Sequence, residues 1–409
     1  MSVRLDRLSA PLISPETAWE RICRVARPLP AERVALEQAL GRYLARPVRA
    51  DRDFPATRRA AMDGYALRAA DAPGTPAIVG EIAAGAPPRP NPRPGQCVRI
   101  FTGAPVPEGA DAVVPIEETE PAGDGRVRVP EARPNQHILR QSEFARRGDI
   151  LLPAGARLTP EALAVCAAAG CARPPVHRRP RAAAIATGSE LRPVDARPRP
   201  YEIRDSNSAL IRAALQAEGC APVFGIRLKD DRAAIRRRIA ALAARCDLLA
   251  LSGGVSVGDY DWVPDALAEL GARVHYHGVA MKPGKPQLFA VLGRCLVFGL
   301  PGNPLSAAVG LREFLLPAAR LLAGCPAERA RPEWRLPLGE PLRVRGPRQR
   351  FVPARLAPRD GATVLLPLAV TASADAMAAA RADGAIVAPM GAEALDAGTV
   401  VAFRPWSLP

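Results

Sequence analysis

Five short segments in the middle of the chain contain glycine, carboxylates, hydroxyls or lysine: TGSEL (187–191), LKDD (228–231), SGGVSVGDYD (252–261), KPGKP (282–286) and LPGNP (300–304). Glycine lets backbone N–H groups approach an anion without hindrance from a Cβ atom. Mg²⁺ usually takes one or two carboxylates together with substrate phosphates. The five segments therefore predict a site for a phosphate-bearing ligand held with Mg²⁺.

The charged side chains of these segments suit two different kinds of ligand. The carboxylates of Glu190, Asp230 and Asp261 are the candidate Mg²⁺ ligands. Lys282 and Lys285 are two of only three lysines in a chain that otherwise uses arginine. This usage indicates that a compact ammonium group is required at both positions. Taken singly, each segment is typical of a turn, and an acidic pair at 230–231 is typical of a helix cap.

The glycine-rich segment offers backbone and hydroxyl groups for cofactor binding at Ser252, Gly253, Gly254, Ser256 and Gly258. Residues 254–258 also match the G-x-S-x-G elbow of α/β-hydrolases, which needs a helix directly after the serine and a histidine further along. Here Gly-Asp-Tyr-Asp follows instead. The downstream histidines, His275 and His277, lie in a predicted strand, where a structural role is expected. A serine hydrolase is therefore not favoured.

Residues 179–326 alternate between strand and helix patterns. Strands are predicted in RAAAIATG, APVFGIRL, CDLLALSGG, ARVHYHGVA and CLVFGLPG. Helices are predicted after a cap at Ser206 or Asn207, after Asp231, in DWVPDALAELG and from Pro304. Such alternation with short loops predicts a parallel sheet with helices on both faces. Ligands bind at the carboxyl ends of such strands, so the five segments should meet at one edge of the sheet.

The rest of the chain divides into three further parts. Residues 59–142 consist of short apolar runs between Gly and Pro, which predicts a β-rich domain. Residues 1–58 and 143–178 form a linking, helical domain, with helices expected in ETAWERICRVA and AERVALEQALGRYLA; one arrangement packs residues 31–48 on the α/β domain. Residues 327–409 return to short strands and predict a C-terminal β domain. The fold class is therefore α/β plus β-rich subdomains.

Composition excludes several classes of protein. The 409 residues are 48% hydrophobic and 24% charged, as in folded chains, and aromatics make up only 4%, which leaves few platforms for stacking nucleic-acid bases. The net charge of +15 comes from scattered arginines, so no nucleic acid is expected as a partner. Eight dispersed cysteines without a CxxC motif, and no long apolar run, predict a cytoplasmic protein that does not enter a membrane.

In chain order, MDGYA, RIFTGAPVPEGAD, TGSEL, DSN, SGGVSVGDYD, MKPGKP and GLPGNPLSA resemble the molybdopterin molybdenumtransferases, the MoeA and gephyrin E-domain family, from about residue 10 to 405. The resemblance implies an elongated homodimer of four subdomains, one of them a molybdopterin-binding α/β domain. It also implies that molybdate is inserted into molybdopterin-AMP with Mg²⁺ and that AMP is released. An apo-molybdoenzyme and the adenylylating protein are the partners that it suggests.

The same resemblance assigns roles to individual residues. Its catalytic residues are Asp63, Thr102, Glu190 and Lys282, the first two in the domain that faces the partner subunit's α/β pocket. Its pocket carboxylates are Glu190, Asp230 and Asp261. Its further cofactor-binding residues are Lys285, Pro301, Pro304 and Ser373.

Four positions depart from the family pattern. Phe144 replaces a carboxylate, Gly278 and Pro353 replace cations, and Ala60 replaces a serine. The replacements suggest an alternative function, that of a divergent paralogue that binds molybdopterin or the molybdenum cofactor as a carrier or chaperone without metal insertion. Three nearby arginines are candidates to compensate for the lost cations: Arg140, Arg146 and Arg355.

Overall fold

The computed structural model describes residues 11–256 and 261–406, so Gly258 lies outside the described residues. The helices are α1 (Pro15–Val25), α2 (Pro160–Ala168), α3 (Ser206–Ala217), α4 (Arg232–Ala243), α5 (Val263–Glu269), α6 (Pro304–Gly310), α7 (Leu316–Leu322), α8 (Ala327–Ala330) and α9 (Ala376–Arg381). A π-helical segment, Leu311–Leu315, joins α6 to α7, and 3₁₀ turns cover Leu36–Gln38, Ala69–Asp71 and Ile116–Glu118. No helix of the described part is long and apolar enough to cross a bilayer.

The first 178 residues carry small sheets around two helices. Their strands are β1 (Ala31–Arg33), β2 (Val48–Arg49), β3 (Arg59–Ala60), β4 (Gly64–Leu67), β5 (Ala77–Ile82), β6 (Gln96–Ile100), β7 (Ala112–Pro115), β8 (Glu120–Pro121), β9 (Val127–Arg128), β10 (Ile138–Leu139), β11 (Ile150–Leu152) and β12 (Pro175–His177). The largest sheet has the order β5-β6-β4-β7. Its core includes Val98, Ile100 and Val113, all fully buried, so the short apolar runs of this region form a packed layer.

Of the two helices expected near the N-terminus, the first is confirmed and the second is wrong. Ser14 caps α1 by accepting a hydrogen bond from the backbone N–H of Thr17 at 3.0 Å. Residues 31–45 instead form β1 and a 3₁₀ turn, because β1 pairs antiparallel with β12 in the returning chain. Tyr43 from this segment packs in the main core of the α/β part. Non-local strand pairing has overridden a helical sequence pattern.

The central sheet has six strands in the order β16-β13-β17-β21-β20-β18. The strands of this part of the chain are β13 (Ala182–Thr187), β14 (Leu191–Arg192), β15 (Ile203–Arg204), β16 (Val223–Leu228), β17 (Leu248–Ser252), β18 (Arg273–His277), β19 (Met281–Lys282), β20 (Leu288–Leu292) and β21 (Cys295–Leu300). Alternate residues of β13 face different cores, since Ala184 packs with α3 and α6 while Ile185 packs with α4 and α5. Helices therefore cover both faces, as predicted.

The sheet is not wholly parallel. Strands β16, β13, β17 and β21 are parallel, but β20 runs antiparallel to both of its neighbours, β21 and β18. The sequence analysis missed β20, which forms a hairpin with β21 around Gly293. Because β18 reverses direction twice relative to β21, it still ends at the same edge as the parallel strands. The five segments thus leave the sheet on one side.

Of the two helix caps predicted in this domain, one is confirmed and the other is wrong. Asp231 caps α4 through its Oδ1, which accepts from the N–H of Ala234 at 2.7 Å, as predicted. The cap of α3 is Asp205, which accepts from the N–H of Ser208 at 3.0 Å, and not Ser206 or Asn207. Because Asp205 caps the helix, the Asn207 side chain can make the contacts described below.

The C-terminal part forms a β domain around strands β22 (Trp334–Pro337), β23 (Leu342–Arg343), β24 (Gln349–Arg359), β25 (Ala362–Pro367), β26 (Gly384–Ala388), β27 (Ala394–Leu395) and β28 (Val400–Pro405). Its main sheet has the order β19-β24-β26-β28-β22, and β25 pairs with β24. The edge strand β19 comes from the α/β part of the chain and pairs parallel with Gln349 and Arg350. One of the five segments is therefore anchored in the C-terminal sheet.

Candidate active site

A cavity of about 690 Å³ lies at the carboxyl edge of the parallel strands. We call it the carboxylate cavity, because its lining includes Glu190, Asp230 and Asp261. The other predicted residues that line it are Ser252, Gly253, Gly254, Ser256, Pro301 and Pro304. The convergence of these segments, expected from the sequence, is present in the structure.

The first two carboxylates of the cavity have different surroundings. Asp230 Oδ2 accepts a hydrogen bond from the N–H of Ser189 at 2.9 Å, so one of its oxygens ties segment 228–231 to segment 187–191. Glu190 folds its carboxylate back over Gly188. This carboxylate forms no hydrogen bond or ion pair with another described residue, which leaves both of its oxygens for a ligand. Asp231, next to Asp230, caps a helix, so the two halves of this acidic pair have separate roles.

Glycine is required twice where the glycine-rich segment turns beneath the cavity. Gly253 and Gly254 have φ angles of +82° and +64°. A Cβ atom on Gly253 would lie 2.3 Å from the carbonyl oxygen of Thr187, and one on Gly254 would lie 2.7 Å from Thr187 Oγ1. His277 supports the same segment, because its Nε2 donates to the carbonyl of Val255 at 2.7 Å. That contact confirms a structural role for this histidine.

Asn207 connects the glycine-rich segment with segment 300–304. Its Nδ2 donates to Ser252 Oγ and to the carbonyl oxygen of Gly302, both at 2.8 Å. The residue is 8% exposed, and its Oδ1 has no hydrogen-bond partner within the part of the chain that the structure describes. Because both amide hydrogens are used, the orientation of the amide is fixed and Oδ1 is an available acceptor. The DSN motif predicted Asn207 only as a candidate helix cap and gave no sign of this role.

A second cavity, of about 660 Å³, adjoins the first. We call it the cationic cavity, since its lining includes Lys282, Lys285, Arg343, Arg348 and Arg350. None of these five side chains pairs with a carboxylate of a described residue. Burial, followed by the neighbouring Arg348, lowers the pKa of the Arg350 guanidinium. Unpaired cations gathered around a cavity favour an anionic ligand.

The two cavities meet at three residues that line both: Pro286, Pro301 and Asn303. The sequence analysis expected the lysines and the carboxylates in one pocket, and this is wrong in detail, because β19 draws Lys282 towards the C-terminal sheet. Ser373 also lines the cationic cavity, where its hydroxyl accepts from Asn303 Nδ2 at 3.0 Å. Residues 300–304 therefore separate the carboxylate cavity from the cationic cavity.

Asp63 and Thr102 lie elsewhere, at the end of the four-stranded sheet. Asp63 Oδ1 accepts from the hydroxyl of Thr102 at 2.6 Å and from its backbone N–H at 2.7 Å. The side-chain bond, then the backbone bond, lowers the pKa of this exposed carboxyl. The two residues are brought together as a pair, but neither lines the carboxylate cavity or the cationic cavity of its own chain.

The positions that depart from the family pattern differ in their surroundings. Phe144 is 69% exposed. Gly278 has a φ of +101°, a left-handed conformation that disfavours any cationic side chain there. Pro353 lines the cationic cavity. The three arginines suggested as replacements, Arg140, Arg146 and Arg355, line neither cavity; the arginines that line the same cavity as Pro353 are Arg343, Arg348 and Arg350.

The donor set of the carboxylate cavity suits a hard cation only with help from a ligand. Among the described residues, no group of three His, Cys, Asp or Glu side chains lies close enough to hold a metal ion. The carboxylates that are present are oxygen donors of the kind that Mg²⁺ takes one or two at a time. Phosphate oxygens and water would have to complete the coordination.

Three family models match successive parts of the chain. They are the MoeA N-terminal region (domain I and II) over residues 13–170, a probable molybdopterin binding domain over residues 183–321, and the MoeA C-terminal region (domain IV) over residues 335–406. The second match covers the α/β sheet and the segments that line the carboxylate cavity.

Full-length relatives agree with these matches. The molybdopterin molybdenumtransferase of Bacillus subtilis strain 168 is 34% identical over 403 residues, which cover 94% of this chain and 92% of that protein. The molybdopterin molybdenumtransferase of a Nostoc species is 39% identical over 304 residues, or 72% of this chain and 70% of that protein. The crystal structure of the molybdopterin biosynthesis MoeA protein from Pyrococcus horikosii superposes with a TM-score of 0.79 at 28% identity, covering 97% of this chain and all of that one. The chain therefore belongs to the molybdopterin molybdenumtransferase family.

Proposed function

We propose that this chain inserts molybdate into adenylylated molybdopterin and releases AMP. Membership of the family makes it a transferase of molybdenum cofactor biosynthesis. The observation that carries the proposal is the pair of adjoining cavities, one lined by carboxylates and the other by unpaired cations. A reaction that joins a nucleotide-linked pterin to an oxyanion needs both environments side by side. Nothing observed here favours the carrier function.

The carboxylate cavity would receive the phosphate bridge of the substrate. Glu190 and Asp230 would hold Mg²⁺ against the phosphate oxygens, and Asp261 lies in the same lining. A bound Mg²⁺ would neutralise negative charge on the phosphates. Arg204, which also lines this cavity, adds a cation from the chain itself. The backbone at Gly253 and Gly254 is bare of side chains and allows a close approach of the anion.

The cationic cavity would receive molybdate. Molybdate is a compact dianion, and lysine and arginine donors suit its oxygens. Lys282 and Lys285 contribute point charges, while Arg343, Arg348 and Arg350 contribute directional donors. These arginines would replace the cations that the family pattern places at positions 278 and 353. Lys282 would also stabilise charge on the departing AMP.

We further infer a homodimer in which Asp63 and Thr102 complete the site of the partner subunit. The ionised Asp63 carboxylate is exposed at a sheet end and lines neither cavity of its own chain. A catalytic role for this residue therefore requires a second copy. An apo-molybdoenzyme and the adenylylating protein remain proposed partners. We also propose a cytoplasmic location, where the eight cysteines, none of them in a disulfide, would stay reduced.

The experiment is a single-turnover assay of AMP release from adenylylated molybdopterin with molybdate and Mg²⁺. Wild-type protein should release AMP, and Glu190→Gln should slow release at least about a hundredfold if its carboxylate contributes as catalytic electrostatic groups usually do. Glu328→Gln, at an exposed position of α8 that lines neither cavity, is the matched control and should retain wild-type rates. AMP release by wild-type protein no faster than without protein would refute the proposal.

A further inference from the structure

A third cavity, of about 440 Å³, lies between α3, α6 and α9. It shares Ser206, Asn207 and Pro304 with the carboxylate cavity. We call it the alanine cavity, because small residues of α9 and its flank form one wall: Ala376, Ala379, Ala380 and Ala382. Its volume falls within the range of about 300–1,000 Å³ that small-molecule sites occupy. One elongated ligand could therefore extend from the carboxylate cavity into this one.

The lining combines apolar side chains with two polar groups that no described residue satisfies. Leu210 and Trp406 add larger apolar surfaces to those of the alanines. Asn207 contributes the buried Oδ1, which accepts no hydrogen bond from any described residue. Arg312 lines the same cavity and is engaged by no described carboxylate, carbonyl or aromatic ring. A pocket that is mostly apolar with a few fixed polar groups is typical of a site for a planar ring.

The absence of a protein partner for Arg312 has a structural cause. The nearby carboxylate of Glu218 is already taken by Arg320, whose Nε donates to Glu218 Oε2 at 2.8 Å. Burial lowers the pKa of Arg312; the Glu218 carboxylate raises it, and the positive charge of Arg320 lowers it further. Arg312 projects from the π-helical segment Leu311–Leu315, and such segments are frequent at functional sites. A half-buried cation and an orphaned acceptor that line the same cavity are costly unless a ligand satisfies both.

We propose that the alanine cavity binds the pterin ring of the substrate, with Arg312 donating to the ring carbonyl and Asn207 Oδ1 accepting from a ring N–H or amino group. This inference rests on the proposed function, whose substrate carries a pterin at one end and adenine at the other. The 2-amino-4-oxo edge of a pterin offers a carbonyl next to N–H donors, which matches a donor-only guanidinium beside an acceptor. Adenine has no carbonyl group for Arg312. Asp383, which also lines the cavity, offers a further acceptor, since only its Oδ2 is used, by the N–H of Leu356 at 2.8 Å.

The test measures binding of 6-hydroxymethylpterin to the full-length protein by its fluorescence, with adenosine as the competing probe. Wild-type protein should bind the pterin, and excess adenosine should not displace it from this cavity. Arg312→Met should weaken binding about tenfold or more, because a charged hydrogen bond is lost. Ala380→Leu should weaken pterin binding similarly by filling part of the alanine cavity. Met377→Leu, on α9 but outside the lining, should bind as wild type does.

The outcomes separate this inference from the proposed function. Equal pterin affinity in wild type, Arg312→Met and Ala380→Leu would overturn the pterin site, and so would adenosine binding that these substitutions abolish. Neither result would contradict AMP release by the wild-type protein. Loss of pterin binding in both cavity variants, with unchanged thermal unfolding, would support the site even if no AMP were released. In a turnover assay Arg312→Met should raise KM for molybdopterin-AMP more than it lowers kcat.

Discussion

Asp63 and Thr102 form a two-point contact in which a single carboxylate oxygen, Asp63 Oδ1, accepts both the hydroxyl and the backbone N–H of the threonine. Residues 39 positions apart in the chain are thereby held together where strand β4 begins and just beyond the end of strand β6. The contact fixes an ionised carboxylate on the surface, in a defined orientation, where it can be offered to another molecule.

The first prediction concerns the titration of this carboxylate. Both hydrogen bonds stabilise the charged form, so the pKa of Asp63 lies below its usual range. Thr102→Val removes the hydroxyl donor at constant shape, and the pKa of Asp63 should rise towards its ordinary value. Any stability that the contact contributes is present above the pKa of unfolded aspartate and is lost as the pH falls through the folded pKa. A carbon-13 NMR titration of the carboxylate checks this; an unmoved pKa would contradict it.

The second prediction tests the composite, two-subunit site. Asp63→Asn and Glu190→Gln homodimers should each be inactive. A mixed dimer, purified through two different tags, should regain about half of the wild-type rate of AMP release, because one of its two sites then combines an intact Asp63 with an intact Glu190. If both residues act within one chain, the mixed dimer stays inactive. A double variant paired with wild type is the reciprocal control: it should be inactive if the site combines two subunits, and it should retain about half of the rate only if Asp63 acts within its own chain.

The third prediction concerns the oxyanion. Arg350→Met removes one of the five unpaired cations of the cationic cavity and should weaken molybdate binding, or raise KM for molybdate, by about tenfold or more. The matched control is Arg345→Met, because the side chain of Arg345 lies outside the lining and only its backbone carbonyl contacts Arg350. Titration calorimetry with sodium molybdate measures both. Equal affinities in the two variants would place molybdate elsewhere.

The fourth prediction concerns the missing cation at position 278. Gly278 has a φ of +101°, and a Cβ atom there would lie 2.7 Å from Leu12 Cδ2. Gly278→Lys should therefore lower the free energy of unfolding by about 1–3 kcal/mol and should not increase turnover. Gly278→Ala adds only the Cβ atom and should lose a similar amount, which identifies backbone strain as the cause. Urea unfolding of both variants checks the prediction, and undiminished stability in either would contradict it.

Local patterns in the sequence were sufficient to predict much of the α/β architecture. Asp231 is recognisable as a cap because the cap and its helix are adjacent in the chain, and segments at strand ends meet at one edge because the strands are parallel. These features depend on residues a few positions apart or on a general rule of topology. The convergence of Glu190, Asp230 and Asp261 on one cavity follows from the same rule.

Features set by distant pairing were not predictable in this way. The segment around Leu36 has the composition of a helix, and only its contact with β12 shows that it starts as a strand. Likewise Arg348 and Arg350 enter the cationic cavity because β24 pairs with β19, nearly 70 residues earlier. No local signal in RQRFVPARL indicates that register. The division of the site into two cavities depends on this one strand pairing.

The pairing of β19 with β24 also has a mechanical consequence. Lys282 belongs to the backbone that leaves the α/β sheet, yet it is hydrogen-bonded as an edge strand of the C-terminal sheet. If the C-terminal part swings as a unit, the ammonium group travels with the arginines rather than with the carboxylates. Because Lys285, Pro301 and Asn303 of the α/β part also line the cationic cavity, such a rotation would change the shape of this cavity as well as the spacing between anion and nucleotide.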